Sequence, residues 1–186
     1  MKRSAIIFTF LISLIGGITF YGYSLPERSH ITLSQSFNRP TDYIWKLIYE
    51  YQHYPKWRED IYTVDKTPNS NQKITWKETN GKGITTPFKL INSKLNQFIT
   101  IQETGDTHLS SGKWHFEVKA SKDNKSTTLT ITEDRLIPNM LSRAINHLLK
   151  TRTENIDSYF RSINNKIYSD EINAQKSNQH TPVQAE

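Results

Sequence analysis

The sequence predicts an α+β domain, an antiparallel sheet of about seven strands covered by a long C-terminal helix, carried behind a single membrane-spanning helix. Three observations predict it. From Ser4 to Pro26 run 23 residues without a charge, 14 of them apolar. Between residues 61 and 134, segments of alternating apolar and polar residues follow one another with turn-forming residues and no helical pattern between them. From Pro138 to about Ile167 the apolar residues recur at helical spacing.

The uncharged block is long enough to cross a bilayer, because a helix rises about 1.5 Å per residue and roughly 20 residues cover the hydrocarbon core. Lys2 and Arg3 precede it, and Glu27 and Arg28 follow it. By the positive-inside rule this places the N-terminus in the cytoplasm and exports the rest of the chain, to the periplasm of a bacterium. A cleaved signal peptide is the alternative, but its apolar core is usually about 7 to 15 residues and ends at a small-x-small site. Here Phe20, Tyr21 and Tyr23 crowd that region. The expected organisation is therefore an anchor over 1–26, a folded domain over 30–168, and a polar, disordered tail over 169–186.

Within the domain, Ile31, Leu33, Gln35 and Phe37 share one side of a first strand that stops at the turn residues Asn38 to Pro40. Thr41 or Asp42 opens a helix whose apolar face is Ile44, Trp45, Leu47, Ile48 and Tyr51, and a short helical turn follows around Tyr54 to Trp57. Six strands come next: Ile61 to Thr67, Gln72 to Thr79, Ile84 to Ile91, Gln97 to Glu103, Lys113 to Ser121 and Ser126 to Asp134. Asn80-Gly81-Lys82-Gly83 and Lys122-Asp123-Asn124-Lys125 are the clearest hairpin turns. On the last helix Leu141, Ala144, Ile145, Leu148, Ile156, Tyr159 and Ile163 form one stripe, which a sheet must cover.

Composition excludes several chemistries. With no cysteine there is no disulfide framework, thiolate metal site or cysteine nucleophile. Two of the 24 basic residues belong to the topology signal, and the remaining 22 against 18 acidic residues form no dense run, with Lys66, Lys73, Lys77, Lys82, Lys89 and Lys94 scattered at solvent positions of the expected strands. Nucleic-acid binding, which needs a basic patch interleaved with aromatics, is not expected. No G-x-S-x-G elbow, H-E-x-x-H helix or phosphate loop is present, and the six histidines are too dispersed for a metal site. No cofactor is expected.

The order strand, two short helices, six antiparallel strands and one long helix resembles the helix-grip fold of the START-like, or SRPBCC, superfamily. Asn38-Arg39-Pro40-Thr41-Asp42-Tyr43-Ile44-Trp45 looks like its first-helix start, and Tyr54-Pro55-Lys56-Trp57-Arg58 like its step into the second strand. Trp76-Lys77-Glu78, Gly112-Lys113-Trp114, Thr130-Ile131-Thr132-Glu133 and Ile156-Asp157-Ser158-Tyr159-Phe160 are similar to its later signatures. The superfamily includes polyketide cyclase and dehydrase-like proteins and coenzyme Q-binding proteins. The resemblance implies a curved sheet gripping the long helix, with an apolar cavity for a hydrophobic ligand beneath it.

Alternation puts Ile74, Trp76 and Glu78 on one strand face, Ile99, Ile101 and Glu103 on a second, and Leu129, Ile131 and Glu133 on a third. Each apolar face thus ends in a glutamate. Arg152 falls in the middle of the helical stripe, where an unpaired charge is costly and a guanidinium fork suits a carboxylate. Either Arg152 and one or more of Glu78, Glu103 and Glu133 orient a ligand head group or move a proton, or the glutamates sit at strand ends in water, or Arg152 ties the helix to the sheet with a buried ion pair. The expected ligand walls are Trp76, Phe88, Leu90, Trp114 and Phe116 from the strands, with Leu141, Ile145, Leu148 and Arg152 from the helix. The expected function is binding of a lipid, quinone or polyketide-like molecule by a domain tethered to the inner membrane. A cyclase or dehydrase with a cavity carboxylate as acid or base, and a protein-interaction module with a filled cavity, are the alternatives.

Overall fold

The structure, a computed structural model, describes residues 2–67, 73–105, 111–149 and 153–179. Helix α1 (Lys2–Ser24) is followed by strand β1 (Arg28–Phe37), helix α2 (Thr41–Tyr49) and a 3₁₀ helix over Tyr51–Lys56. Strands β2 (Ile61–Lys66), β3 (Thr75–Asn80), β4 (Thr85–Lys94), β5 (Phe98–Glu103), β6 (Ser111–Ala120) and β7 (Thr127–Leu136) then run in succession. Helices α3 (Met140–Leu148) and α4 (Glu154–Gln179) close the chain.

The seven strands form one antiparallel sheet in the order β1-β7-β6-β5-β4-β3-β2. Successive hairpins account for every neighbour except β1, which pairs along its whole length with β7 from Arg28↔Leu136 to Phe37↔Thr127. On the outer face of that pair, Thr32, Ser34 and Ser36 meet Thr132, Thr130 and Thr128 hydroxyl to hydroxyl at 2.8–2.9 Å. The inner face buries Phe37, Leu129 and Ile131. Period-two alternation is therefore spent on a solvated hydroxyl ladder outside and a core inside.

That core is α4 against the sheet. Ile156, Tyr159, Phe160 and Ile163 of α4 are buried with Phe37, Phe116, Leu129 and Ile131 of the strands, and α2 adds Ile44, Trp45 and Ile48. Aromatic rings fill the middle. Tyr159 lies 5.4 Å from Trp57, 6.3 Å from Tyr54 and 5.3 Å from Phe116, ring centre to ring centre.

Two expectations for the C-terminal region are corrected. The helix is not continuous from Pro138: α3 ends at Leu148 and α4 starts at Glu154. The Asn139 side chain caps α3 by accepting from the Ser142 N–H at 2.9 Å, and Glu154 and Asp157 sit in the first turn of α4, where acidic groups suit the helix dipole. Helix α3 packs on α1, so Leu141, Ile145 and Leu148 are exposed and do not face the sheet. Arg152 lies outside the described residues. The second correction concerns the tail, because α4 continues as helix to Gln179. Two contacts tie it back to the domain there, Tyr43 donating to Asp170 at 2.8 Å and Arg39 to Glu171 at 2.9 Å, and Lys166 pairs with Asp170 within the helix at 2.6 Å.

Candidate functional site

The sheet curvature brings the inner ends of β3 to β7 to the N-terminal turns of α4, and a cleft of about 570 Å³ opens there. Its apolar surface includes Ile61, Ile84, Phe88, Trp114 and Tyr159. Its polar surface includes Arg58, Asp60, Glu78, Glu103, Arg135 and Asn155. The deeper space under α4 is only about 40 Å³, because Tyr54, Trp114, Phe116 and Tyr159 close it. Ring packing leaves little space there, and the larger space opens under the first turns of α4, beside Glu154, Asn155, Ser158 and Tyr159.

All three glutamates are inward, and each meets an arginine that the sequence reading did not choose. Glu78 is 4% exposed and accepts at both oxygens, from the Trp76 indole N–H at 2.8 Å and from Arg58 Nη1 at 3.1 Å. Arg58 also donates twice to Asp60, at 3.1 and 2.6 Å, and its guanidinium lies 5.0 Å from the ring centres of both Tyr54 and Tyr159. One side chain thereby joins the loop before β2, strand β3 and helix α4.

The second cluster is laid across three strands. In the ladder Arg135 of β7 pairs with Gly112 of β6, and Glu103 of β5 stands one residue beyond the Gln102↔Lys113 pair. Arg135 Nη2 donates to Glu103 at 2.8 Å, over the glycine. A Cβ on Gly112 would stand 2.7 Å from Glu103 Oε1 and 3.3 Å from Arg135 Nη2, so the missing side chain makes room for the ion pair. Arg135 Nε donates to Glu133 at 2.6 Å, and Asn155 of α4 to the same oxygen at 3.4 Å.

Burial governs the titration of these groups. It pushes the Glu78 carboxyl up by more than Arg58 and Trp76 pull it down. Glu133 is pushed up in the same way, against Arg135 and Asn155. Burial disfavours the Arg58 charge too, but Glu78 and Asp60 more than offset it, and Arg58 stays charged.

The expected ligand walls divide. Phe88 and Trp114 line the cleft, Phe116 borders the small void, and Trp76 and Leu90 line a separate apolar pocket of about 220 Å³ between the 3₁₀ helix and β3–β5, where Tyr51 stacks on Trp76 at 4.4 Å. The Trp114 indole N–H is buried without a hydrogen-bond partner among the described residues. Glu78 and Glu103 line the cleft, whereas Glu133 lies behind Arg135 in an adjoining depression of about 350 Å³. Arg135 was legible, since it continues the inward series Leu129, Ile131, Glu133. Arg58 was not, because it stands in a loop where no period marks the inner side.

No protein-family model matches the sequence, and no curated protein matches it. Solved structures do match in three dimensions. The Zhui aromatase/cyclase of a Streptomyces species superposes with a TM-score of 0.60 at 11% identity, covering 73% of this chain and 91% of that one. A START superfamily protein of Mycobacterium smegmatis gives 0.60 at 13% identity, over 75% and 97%. XoxI of Bacillus cereus gives 0.55 at 15%, over 70% and 92%. The chain has the START-like helix-grip fold.

Proposed function

We propose that this chain is a noncatalytic, membrane-tethered START-like domain that binds a hydrophobic molecule with one polar end, such as a lipid, a quinone or a polyketide-like compound. The observation that carries this reading is the cleft of about 570 Å³, a size ordinary for small-molecule sites, with Phe88, Trp114 and Ile84 on its surface beside two arginine–glutamate clusters. An apolar body rests on the rings while a polar head meets Arg135 and Glu103. The fold shared with an aromatase/cyclase and a START superfamily protein supports a small-molecule site. Helix α1, whose segment Ile6–Ser24 is long and apolar enough to cross a membrane, supports the tether. Lys2 and Arg3 then leave the N-terminus cytoplasmic and the domain exported from the inner membrane.

A cyclase-type reaction with Glu78 as general base is favoured by one observation, the upward push that burial gives its carboxyl. Against it, both Glu78 oxygens already accept hydrogen bonds. The test is mass spectrometry of an organic extract of the purified full chain, with titration of the dye anilinonaphthalene sulfonate into extracted protein. Ile84, exposed on the cleft rim, is changed to Glu. The expected result is an extractable apolar compound, and dye affinity several-fold weaker in Ile84→Glu at unchanged Tm. An empty extract together with equal dye binding by both proteins overturns the reading in favour of an interaction module.

A further inference from the structure

Helix α3 is the part of the molecule that the cleft does not explain. Its face toward α1 is built for close approach: Gly22 of α1 is buried, and a Cβ there would stand 1.9 Å from the Met140 carbonyl oxygen and 3.3 Å from Ala144 Cβ. The Tyr21 hydroxyl and His147 Nδ1 are 2.9 Å apart, and Ile18 and Thr19 are half-buried on the same side of α1. At the root, Arg143 pairs with Glu27 at 3.2 Å, and the Ile137 N–H donates to the Glu27 carbonyl at 2.8 Å. Two helices far apart in sequence are therefore joined over the last turns of the apolar helix.

At about 100° per residue, Leu141, Ile145 and Leu148 fall on a stripe beside the α1-facing residues Met140, Ala144 and His147. The stripe has no cover among the described residues: Leu141 is 40%, Ile145 42% and Leu148 58% exposed. Arg143 and Asn146 take the other flank, where they border the small hollow under Leu25 and Pro26. This is the division of an interfacial helix, apolar on one side and polar on the other. What the apolar side meets follows from its neighbour, because Ile18, Thr19 and Gly22 lie within the segment Ile6–Ser24 that is apolar enough to cross a membrane. Lipid that surrounds those turns of α1 also reaches α3.

We infer that α3 is a second, interfacial membrane contact, lying in the outer leaflet boundary against α1 with Leu141, Ile145 and Leu148 in lipid. The inference rests on the reading of α1 as an uncleaved span. It also orients the domain. Asn146 shares the depression of about 350 Å³ with Glu133, Arg135, Glu154 and Asn155, so the Arg135 side of the cleft is the side nearest the bilayer. A lipid-derived ligand then has a short path from membrane to cleft.

The chain has no cysteine, so each introduced cysteine is a unique labelling site. Full chains carrying Leu148→Cys, Ile145→Cys, Ser142→Cys or Leu14→Cys are labelled with a polarity-sensitive fluorophore and reconstituted into vesicles of phosphatidylcholine and phosphatidylglycerol. Quenching by iodide in the water is compared with quenching by spin-labelled lipid. Labels at 145 and 148 are expected to be quenched several-fold less by iodide than the label at 142, and strongly by lipids labelled near the headgroup. The label at 14 is expected to respond to lipids labelled at the bilayer centre. If 14 is in the bilayer and 145 and 148 behave like 142, the interfacial contact is overturned while the span stands. If 14 is not in the bilayer, the span reading fails and the inference falls with it. Protection of 145 and 148 from iodide that follows the protein-to-lipid ratio, without lipid quenching, overturns it in favour of a second copy of this chain.

Discussion

The two arginine–glutamate clusters that line the cleft use the same pair of residue types and are held in different ways. Around Arg58 every direction is occupied: Asp60 takes two hydrogen bonds, Glu78 takes one, and the rings of Tyr54 and Tyr159 cover the guanidinium. Arg135 donates to Glu103 and Glu133, with Asn155 reaching the Glu133 carboxylate from α4; this cluster lies across three strands over a glycine, and the arginine itself is more exposed, at 22% against 14% for Arg58. The first cluster is a joint between elements, and the second is a rim. A buried pair adds little net stability when intact, because desolvation offsets attraction, but removing one partner leaves a buried charge behind. Arg58→Ala should therefore be the most damaging change in the site, lowering unfolding free energy by about 3–5 kcal/mol in denaturant titration. A loss below about 1 kcal/mol, the range of exposed pairs, would remove the distinction between joint and rim.

Gly112→Ala attacks the rim without touching a charge. The added methyl occupies the space in which Glu103 and Arg135 meet, at 2.7 Å from the carboxylate oxygen, so the pair must separate or β6 must shift. Arg135 keeps Glu133 when its contact with Glu103 is disturbed, and the expected cost is the smaller one of a disturbed hydrogen bond, about 1–3 kcal/mol by thermal or denaturant unfolding. Dye affinity should fall more than stability does. Equal damage from Gly112→Ala and Arg58→Ala would mean that both clusters are joints.

The contrast also shows what the sequence could reveal. Every strand was legible from alternation and turn chemistry, because each strand has one wet and one dry face whichever element covers the dry one. The inward placement of the glutamates was legible for the same reason, whereas the cations that meet them, Arg58 and Arg135, were not the one expected. Arg58 was not legible, since a loop residue carries no periodic sign of where it points. Leu141, Ile145 and Leu148 misled for a complementary reason: a helical stripe looks identical whether a sheet or something else covers it, and the stripe ran in phase across the break between α3 and α4. Glu154 and Asp157 were the local signs of a new helix start. Tyr43 and Arg39, more than a hundred residues away, hold α4 at Asp170 and Glu171, a contact that no local pattern reports.

The mildest test of the joint is its response to pH. Burial pushes Glu78 up despite Arg58 and Trp76, so folding favours the protonated carboxyl. That contribution is fully present below the ordinary glutamate range and is lost as pH rises through the raised value. Glu78→Gln keeps the shape and cannot ionise, so the difference in Tm between wild type and variant isolates this one group from the rest of the titration curve. Wild type should hold its greatest advantage near about pH 4 and lose part of it by about pH 7. Glu133→Gln at the rim should give the same sign, because burial pushes Glu133 up as well. If the wild-type advantage instead grows with pH at Glu78, Arg58 outweighs burial there, the carboxylate is held ionised, and a general-base role for Glu78 loses the one observation that favours it.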